Sequence, residues 1–185
     1  DYINENKIEL FVFANPNNPT GTILNIEEIE EILQNTNTKI LIDETYVEFT
    51  NTLVYSSIPL TKKYKNLFVT RGVSKVFASP GIRLGYGITS DEKTKEIFYK
   101  NSMLWNITIF SDIMGRYMFD DTSYQNTVYN FIREERDYAT SELSKIDNIK
   151  VYRSEGNFVL CKILNEKTAN DLRENLLKDA LVIRD

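Results

Sequence analysis

The residues best suited to chemistry lie in one stretch, residues 69–89, which reads V-T-R-G-V-S-K-V-F-A-S-P-G-I-R-L-G-Y-G-I-T. It contains Ser74 and Lys75 side by side, and Arg83 follows the lysine by eight residues. A lysine amine is a nucleophile once it has lost its proton, and an arginine fork binds anions through paired hydrogen bonds. A single lysine is more often a solvated surface residue, so the motifs elsewhere in the chain decide between the two interpretations.

Two further polar motifs precede this stretch. N-P-N-N-P-T-G at residues 15–21 contains Asn18, and D-E-T-Y at residues 43–46 contains Asp43 and Tyr46. Each residue also has an ordinary structural interpretation, as a turn residue before proline, a turn or cap acid, and a core-edge aromatic. The sequence contains no histidine, so acid–base chemistry must use Lys, Tyr, Asp, Glu or a cofactor.

Short apolar runs that predict buried strands come directly before the polar motifs. Strands are predicted at Leu10–Ala14, Lys39–Asp43, 67–70 and 84–89, the last of them after a Pro-Gly turn. A helix capped by Asn25 is predicted between the first two strands. This order favours an α/β fold, a three-layer α/β/α arrangement around a mostly parallel sheet. Because ligands bind outside the carboxyl ends of such strands, the three motifs are expected to meet at one edge.

The rest of the chain predicts more helices and then a small α+β lobe. Amphipathic helices are predicted at 91–100, 109–119 and 126–144, and we expect their aromatic and methionine stripes to lie in the core. The tail alternates strand, strand, helix and strand, at residues 150–152, 157–163, 167–178 and 181–184. We therefore divide the chain into a large domain at 1–105, connecting helices at 106–145 and a small lobe at 146–185.

Composition limits the possible partners. Hydrophobic residues make up 42% of the 185 positions and the net charge is −5, so a packed core is expected and nucleic acid is a poor partner. The single cysteine, Cys161, permits no internal disulfide, and no apolar run approaches transmembrane length. A cytoplasmic protein without membrane contact and without a metal site is expected. The non-methionine start and the abrupt last strand suggest a fragment.

Together the three motifs resemble those of the pyridoxal-phosphate (PLP) enzymes of the aspartate-aminotransferase fold. Within that fold the chain looks most similar to the class I/II group that includes histidinol-phosphate aminotransferase and threonine-phosphate decarboxylase. The resemblance covers nearly the whole chain and implies part of a fold type I large domain followed by part of the small domain. It also implies a homodimer for the full-length protein.

The resemblance assigns cofactor roles to the motif residues. Lys75 would form the Schiff base with PLP and shuttle protons, and Asp43 would keep the pyridine nitrogen protonated. Tyr46 and Asn18 would hydrogen-bond the ring oxygen, and Ser74 and Arg83 would hold the phosphate, with Arg71 a weaker candidate. Gly72 stands where relatives commonly have a hydroxyl residue.

Two residues of the small lobe also match family positions. Asn157 in G-N-F-V and Arg184 in V-I-R-D would face the substrate, the arginine toward its distal anionic group. Asn18 would contact the substrate as well as the cofactor. The Gly-rich phosphate loop and the stacking aromatic of the family precede N-P-N-N-P-T-G and have no counterpart here. We therefore expect the chain alone to bind PLP weakly, to be inactive and to cover its open sheet edges by self-association.

The resulting interpretation is an aminotransferase that moves an amino group between an amino acid and a 2-oxo acid through Lys75. The first alternative is decarboxylation of a phosphorylated amino acid, favoured by A-S-P-G-I-R-L-G-Y and by Leu104, Trp105 and Asn106. A non-catalytic remnant that serves as a binding domain is the second.

Overall fold

A four-stranded sheet forms the centre of the structure. The computed structural model describes residues 1–184, and its first sheet has the strand order β1-β2-β3-β4. The strands are β1 (Leu10–Ala14), β2 (Lys39–Asp43), β3 (Leu67–Gly72) and β4 (Gly85–Ile88). The first three are parallel and β4 runs antiparallel to β3, so the four predicted strands form one sheet. The mixed, mostly parallel α/β sheet is thus the predicted one.

Seven helices surround or follow this sheet in the described chain. They are α1 (Tyr2–Glu5), α2 (Ile26–Gln34), α3 (Thr52–Tyr55), α4 (Glu92–Asn101), α5 (Ile109–Asp120), α6 (Thr122–Leu143) and α7 (Ala169–Leu177). Short 3₁₀ turns occupy Val47–Phe49, Ile58–Lys62 and Pro80–Ile82. Asn25 caps α2 in a complete capping box with Glu28, as its sequence predicted. No helix within residues 1–184 has the length and apolar character that crossing a membrane requires.

Helices lie on both faces of the sheet, although Leu10 and Val12 of β1 remain 56% and 54% exposed. Ile29 and Leu33 of α2 pack in one core cluster with Ile40 and Ile42 of β2, and all four are buried. On the opposite face the ring of Phe68 stacks on Phe98 of α4, with centroids 5.0 Å apart. Successive residues of a strand point to opposite faces, so these contacts place helices on both sides of the sheet. A three-layer arrangement results.

A second core cluster lies beyond the carboxyl ends of the strands. Its buried members are Tyr46, Phe49, Val73, Val76, Phe77 and Met118. Val128 and Ile132 of α6 pack against it, as does Phe158 of the small lobe. The cluster therefore joins the segments after β2 and β3 to the helices and the lobe that follow.

The small lobe contains a two-stranded antiparallel sheet, β5 (Ile149–Val151) with β6 (Cys161–Ile163), and α7. The strand expected over 157–163 is shorter than predicted. The strand expected over 181–184 is wrong, because no strand pairing forms there; the Leu181 N–H bonds the Leu176 carbonyl instead, 3.0 Å away. Apolar residues alone do not make a strand where the backbone has no partner.

The core assignment for α5 is also largely wrong. Of its predicted inward stripe only Met118 is buried, whereas Ile109, Phe110 and Tyr117 are 65%, 75% and 73% exposed. The buried positions of α5 are Ser111, Gly115 and Met118. In α6, which begins at Thr122 rather than at residue 126, Phe131 is likewise exposed. Helical spacing identifies an apolar face but not what covers it.

Candidate active site

The three polar motifs leave the sheet at the same edge. Ala14, Asp43 and Thr70 lie side by side in the register of β1, β2 and β3. Since these strands are parallel, the loop at 15–21, the segment from Asp43 onward and the segment after β3 all begin at one carboxyl edge. The predicted meeting of the motifs is confirmed by this register.

Asp43 ends β2 and is half-buried. Its Oδ1 accepts a 3.0 Å hydrogen bond from the Thr45 backbone N–H and a second bond from the Thr45 hydroxyl. The residue is therefore a turn acid, as its ordinary interpretation requires. Within residues 1–184 its second oxygen, Oδ2, makes no hydrogen bond, so one acceptor remains for a positively charged partner.

Tyr46 connects Asn18 with Lys75. The Tyr46 ring is buried, and the side-chain amide of Asn18 donates a 2.9 Å hydrogen bond to its hydroxyl. The ammonium of Lys75 lies 5.7 Å from the centroid of the same ring. Lys75 itself is exposed, as is Asn18. A nucleophile, an amide donor and a phenol are thus brought into one neighbourhood.

Ser74 and Arg83 line a common cavity of about 230 Å³. Gly72 and Gly85 form other parts of its wall. Arg83 adopts a left-handed backbone conformation, φ +54°, and its Nη1 donates a 2.9 Å bond to the Pro80 carbonyl. Left-handed conformations are uncommon for residues with a side chain and occur disproportionately at functional sites. A hydroxyl and an exposed guanidinium beside a small cavity suit a bound anion.

The small lobe contacts this site through Phe158. Its ring meets the Tyr46 ring edge to face, with centroids 5.3 Å apart. The Glu155 N–H also donates to the Gly21 carbonyl at 2.9 Å. Gly21 has φ +72°, and a Cβ there would collide with Ser154, so the close approach requires glycine.

The two small-lobe residues expected to face a substrate are both exposed. Asn157 is exposed and lies between Gly156, whose carbonyl accepts a 3.1 Å bond from Arg136, and Phe158. Arg184 is exposed, and within residues 1–184 it makes no hydrogen bond or ion pair to any other site residue. The structure thus brings Asn157 beside the Tyr46 region, through the contact of its neighbour Phe158 with the Tyr46 ring.

Arg71 does not serve the anion cavity. Its guanidinium binds Glu44, with Nη2 2.8 Å from Oε2, and lies 3.4 Å from Glu48. Both glutamates belong to the run D-E-T-Y-V-E, where they stand four residues apart. Two glutamates at that spacing, with an arginine near the end of the next strand, indicate an ion-pair cluster that the sequence analysis did not predict. The sequence analysis also did not predict the contact of Phe158, the neighbour of Asn157, with Tyr46.

The comparisons with known proteins agree with this geometry. The family described as Aminotransferase class I and II matches residues 1–185, and the chain belongs to that family. PLP is the cofactor of this family.

Particular relatives are similar over the whole chain. Histidinol-phosphate aminotransferase of Clostridium novyi (strain NT) is 39% identical over 184 residues, 100% of this chain and 50% of the relative. A protein of Caldanaerobacter subterraneus subsp. tengcongensis, named provisionally as a threonine-phosphate decarboxylase, is 37% identical over 94% of this chain and 48% of its own length. The chain spans about half the length of the curated relatives it matches.

Solved structures are also similar over nearly all of this chain. The histidinol-phosphate aminotransferase from Clostridium acetobutylicum superposes with a TM-score of 0.92 at 33% identity, covering 99% of this chain and 56% of that one. A decarboxylase from Sulfurospirillum multivorans gives a TM-score of 0.85 at 27% identity, with 96% and 52% covered. The fold is therefore that of the PLP transferases of fold type I, of which this chain contains a part.

The residues present fit the family's cofactor. The Ser74–Arg83 cavity suits a phosphate group, and the Asp43 Oδ2, which makes no hydrogen bond in the described part of the chain, suits a protonated ring nitrogen. Asn18 and Tyr46 supply polar hydrogens for an oxygen, and exposed Lys75 supplies an amine. These groups come from separate segments that the sheet edge brings together.

Proposed function

We propose that the full-length protein is a PLP-dependent aminotransferase that moves an amino group between an amino acid and a 2-oxo acid. The observation that carries the proposal is the placement of Lys75 5.7 Å from the Tyr46 ring, whose hydroxyl accepts the Asn18 bond. When bound, PLP supplies a conjugated ring that accepts electrons from the bond broken at the substrate carbon. This chain supplies most of the groups that hold it.

Each residue has a distinct task in this proposal. The Lys75 amine acts as nucleophile and then carries a proton to and from the substrate carbon. The Asp43 carboxylate holds a proton on the ring nitrogen, because a negative neighbour favours the positively charged form. Asn18 and Tyr46 donate to the ring oxygen, and Ser74 and Arg83 hold the phosphate.

The substrate is proposed to carry a phosphate. Both relatives described above have a phosphate compound in their names, a histidinol phosphate in one and a threonine phosphate in the other. Arg184, exposed near the end of the small lobe, is proposed to meet this distal anion and Asn157 to bind nearer the reacting carbon. An arginine fork binds phosphate in two hydrogen bonds, which suits that role. The protein is proposed to act in the cytoplasm as a homodimer.

Lys75 is tested by chemical trapping. Full-length protein with PLP is reduced with borohydride, digested and mapped by mass spectrometry. We expect the label on Lys75, its loss in Lys75→Ala, and its retention in Lys65→Ala, which removes another exposed lysine. A stable label in Lys75→Ala protein would show that another residue is the attachment site, and absence of any label would favour the non-catalytic remnant.

Decarboxylation is the second candidate, supported by the 37% identical relative from Caldanaerobacter. The enzyme is incubated separately with histidinol phosphate and 2-oxoglutarate, with O-phosphothreonine, and with their unphosphorylated counterparts. Glutamate formation is expected with the first mixture. Carbon dioxide released from O-phosphothreonine without transfer of the amino group would favour decarboxylation.

A further inference from the structure

A buried ionic cluster lies behind the candidate site. We define it as Glu44, Glu48, Ser56, Ser57 and Arg71. Arg71 donates from Nε and Nη2 to Glu44 Oε2, at 3.0 and 2.8 Å, and from Nη2 to Ser56 Oγ at 2.8 Å. Ser57 donates from its backbone N–H and its hydroxyl to the other oxygen of Glu44. The cluster is thus a network rather than one ion pair.

The cluster contains one more carboxylate than its arginine can balance. The Glu44 side chain is 0% exposed and both of its oxygens accept hydrogen bonds, so it is fully satisfied. The Glu48 side chain is 17% exposed, and its Oε1 makes only a 3.4 Å contact with Arg71. Its Oε2 is buried and finds no hydrogen-bond partner among residues 1–184. An ionised Glu48 would therefore be a poorly compensated buried charge.

The cluster joins the two segments that carry the candidate site. Glu44 directly follows Asp43, and Glu48 stands two residues after Tyr46. Arg71 comes three residues before Ser74 and four before Lys75. Backbone bonding links the same segments less extensively, through the Glu44 N–H and the Thr70 carbonyl at 2.8 Å. The side-chain network therefore adds a polar link to the apolar packing of Tyr46 and Phe49 on Val73 and Val76, which also joins segment 43–49 to segment 71–77.

We propose that Arg71 is a positioning residue, which holds the segment of Asp43 and Tyr46 against the segment of Ser74 and Lys75, and that Glu48 adjusts this junction through its proton. Only the catalytic importance of the junction rests on the proposed function. The contacts between the two segments form in the protein without its cofactor. Protonated Glu48 is neutral and can stay buried in the cluster without the cost of burying a charge. Ionised Glu48 favours conformations in which its carboxylate turns toward water.

The groups around Glu48 explain the direction of this effect. Burial raises the pKa of Glu48 from 4.5 to about 7, even though the Arg71 guanidinium beside it acts in the opposite direction. Glu44 and Asp43 add to the rise as like charges. Burial raises the pKa of Tyr86 on β4, and the Arg71 guanidinium acts in the opposite direction.

A cavity of about 420 Å³ borders Glu48 on its other side. There α6 contributes the Tyr129 phenol and α3 the uncharged Thr52 and Leu53, while Val76 comes from the segment just after Lys75. The cavity gives the carboxyl a route for exchanging its proton with solvent. Because Val76 lines the same cavity, a movement of the Glu48 side chain into the cavity would occur next to the segment that contains Lys75.

The sign of the pH effect follows from linkage. We call the junction closed when segments 43–49 and 71–77 are packed together and open when they separate. A carboxyl whose pKa is raised in the closed state binds its proton more tightly there than in the open state. The closed junction is therefore fully favoured below pH 4.5 and is progressively lost as the pH rises to about 7. Opening is expected to increase up to about tenfold per pH unit in that window and to level off above it.

Amide hydrogen exchange of the cofactor-free, full-length protein tests the proposal. Rates in residues 44–49 and 72–77 are measured from pH 5 to pH 8 and corrected for intrinsic exchange. We expect both segments of the wild type to open more as the pH approaches 7. Glu48→Gln keeps the shape but cannot ionise, so both segments should then stay protected and lose the pH dependence. Glu92→Gln, which changes an exposed carboxylate, is the matched control and should behave as wild type.

Arg71→Gln tests the junction directly. It leaves Glu44 buried without its cation, and exchange should rise in both segments at every pH. Arg116→Gln, at an exposed ion pair within α5, should leave both segments unchanged. If Arg71→Gln fails to fold, Glu48→Gln alone decides the result.

Two results would overturn the proposal: pH-dependent opening that persists in Glu48→Gln, or changes confined to residues 44–49. Because no cofactor is present, these outcomes are independent of the Lys75 trapping experiment. A failed trapping result with an intact Glu48 effect would reject the proposed function and keep the junction.

Discussion

The ring of Phe158 meets the ring of Tyr46 edge to face, with an interplanar angle of 85°. This contact joins the small lobe to the residue that receives the Asn18 hydrogen bond. Phe158 lies in the G-N-F-V motif directly after Asn157. The ring contact with Tyr46 therefore fixes the backbone next to Asn157, the residue of the lobe proposed to bind the substrate.

Phe158→Leu is expected to lower the free energy of unfolding by about 1 kcal/mol, because edge-to-face pairs contribute about 0.5–1.5 kcal/mol beyond the area they bury. Urea unfolding of the full-length protein measures the change. Phe110→Leu, at a 75% exposed position of α5, is the control and should change stability less. Equal effects from the two substitutions would mean that the ring contact contributes nothing specific.

Asp43→Ala is expected to leave PLP bound while slowing the first half of the amino transfer by about 100-fold or more, in the range typical of a lost proton-transfer partner. Absorbance stopped-flow with a single amino-acid substrate separates binding from rate. Thr45→Ala removes the hydroxyl bond to Asp43 and keeps the carboxylate, so it should give a smaller loss. Near-normal turnover in Asp43→Ala would leave this residue with its turn role alone.

Asp91→Asn is expected to reduce the acid sensitivity of the fold. Hydrogen bonds from Thr94 and then from Lys39 lower the pKa of Asp91 to about 2, from 3.8. A lowered pKa contributes stability that is present above pH 3.8 and is lost as the pH falls through about 2. Urea midpoints between pH 2 and pH 5 should therefore vary less in the variant. Glu92→Gln, one residue along α4, should keep the wild-type slope.

The isolated 185-residue chain is expected to bind PLP weakly and to self-associate. In the described sheet β1 and β4 form the two edges, and unpaired strand edges recruit other strands. Analytical ultracentrifugation and a PLP absorbance titration measure the two properties. A monomer that carries PLP fully attached to Lys75 would contradict the expectation.

Much of the sheet was predictable because its strands are short apolar runs followed by polar motifs. Leu10–Ala14 and Lys39–Asp43 were predicted with the bounds that the structure has. The meeting of Asn18, Tyr46 and Lys75 followed from the rule that parallel strands share a carboxyl edge. These are consequences of local pattern and topology, which a sequence contains.

What the sequence could not supply was the identity of contacts between distant segments. The spacing of Glu44 and Glu48 indicates a positively charged partner, but it does not say whether Arg71 or Arg83 is that partner. The apolar face of α5 was recognised, but Phe110 is exposed, because periodicity does not say which neighbour covers a face. The prediction of a strand at residues 181–184 was wrong for a related reason. A strand needs a neighbouring strand to pair with, and an apolar run does not say whether one is present.

The order of the strands has a consequence for how the protein is made. In the first sheet each of β2, β3 and β4 pairs with the strand immediately before it in the chain. The sheet can therefore grow strand by strand during synthesis, without waiting for a distant partner, and contacts close in sequence favour fast folding. Asn18, Asp43, Tyr46, Ser74, Lys75 and Arg83 emerge from the ribosome in this order. Phe158 emerges well after them, so docking of the small lobe onto Tyr46 follows the assembly of the sheet edge.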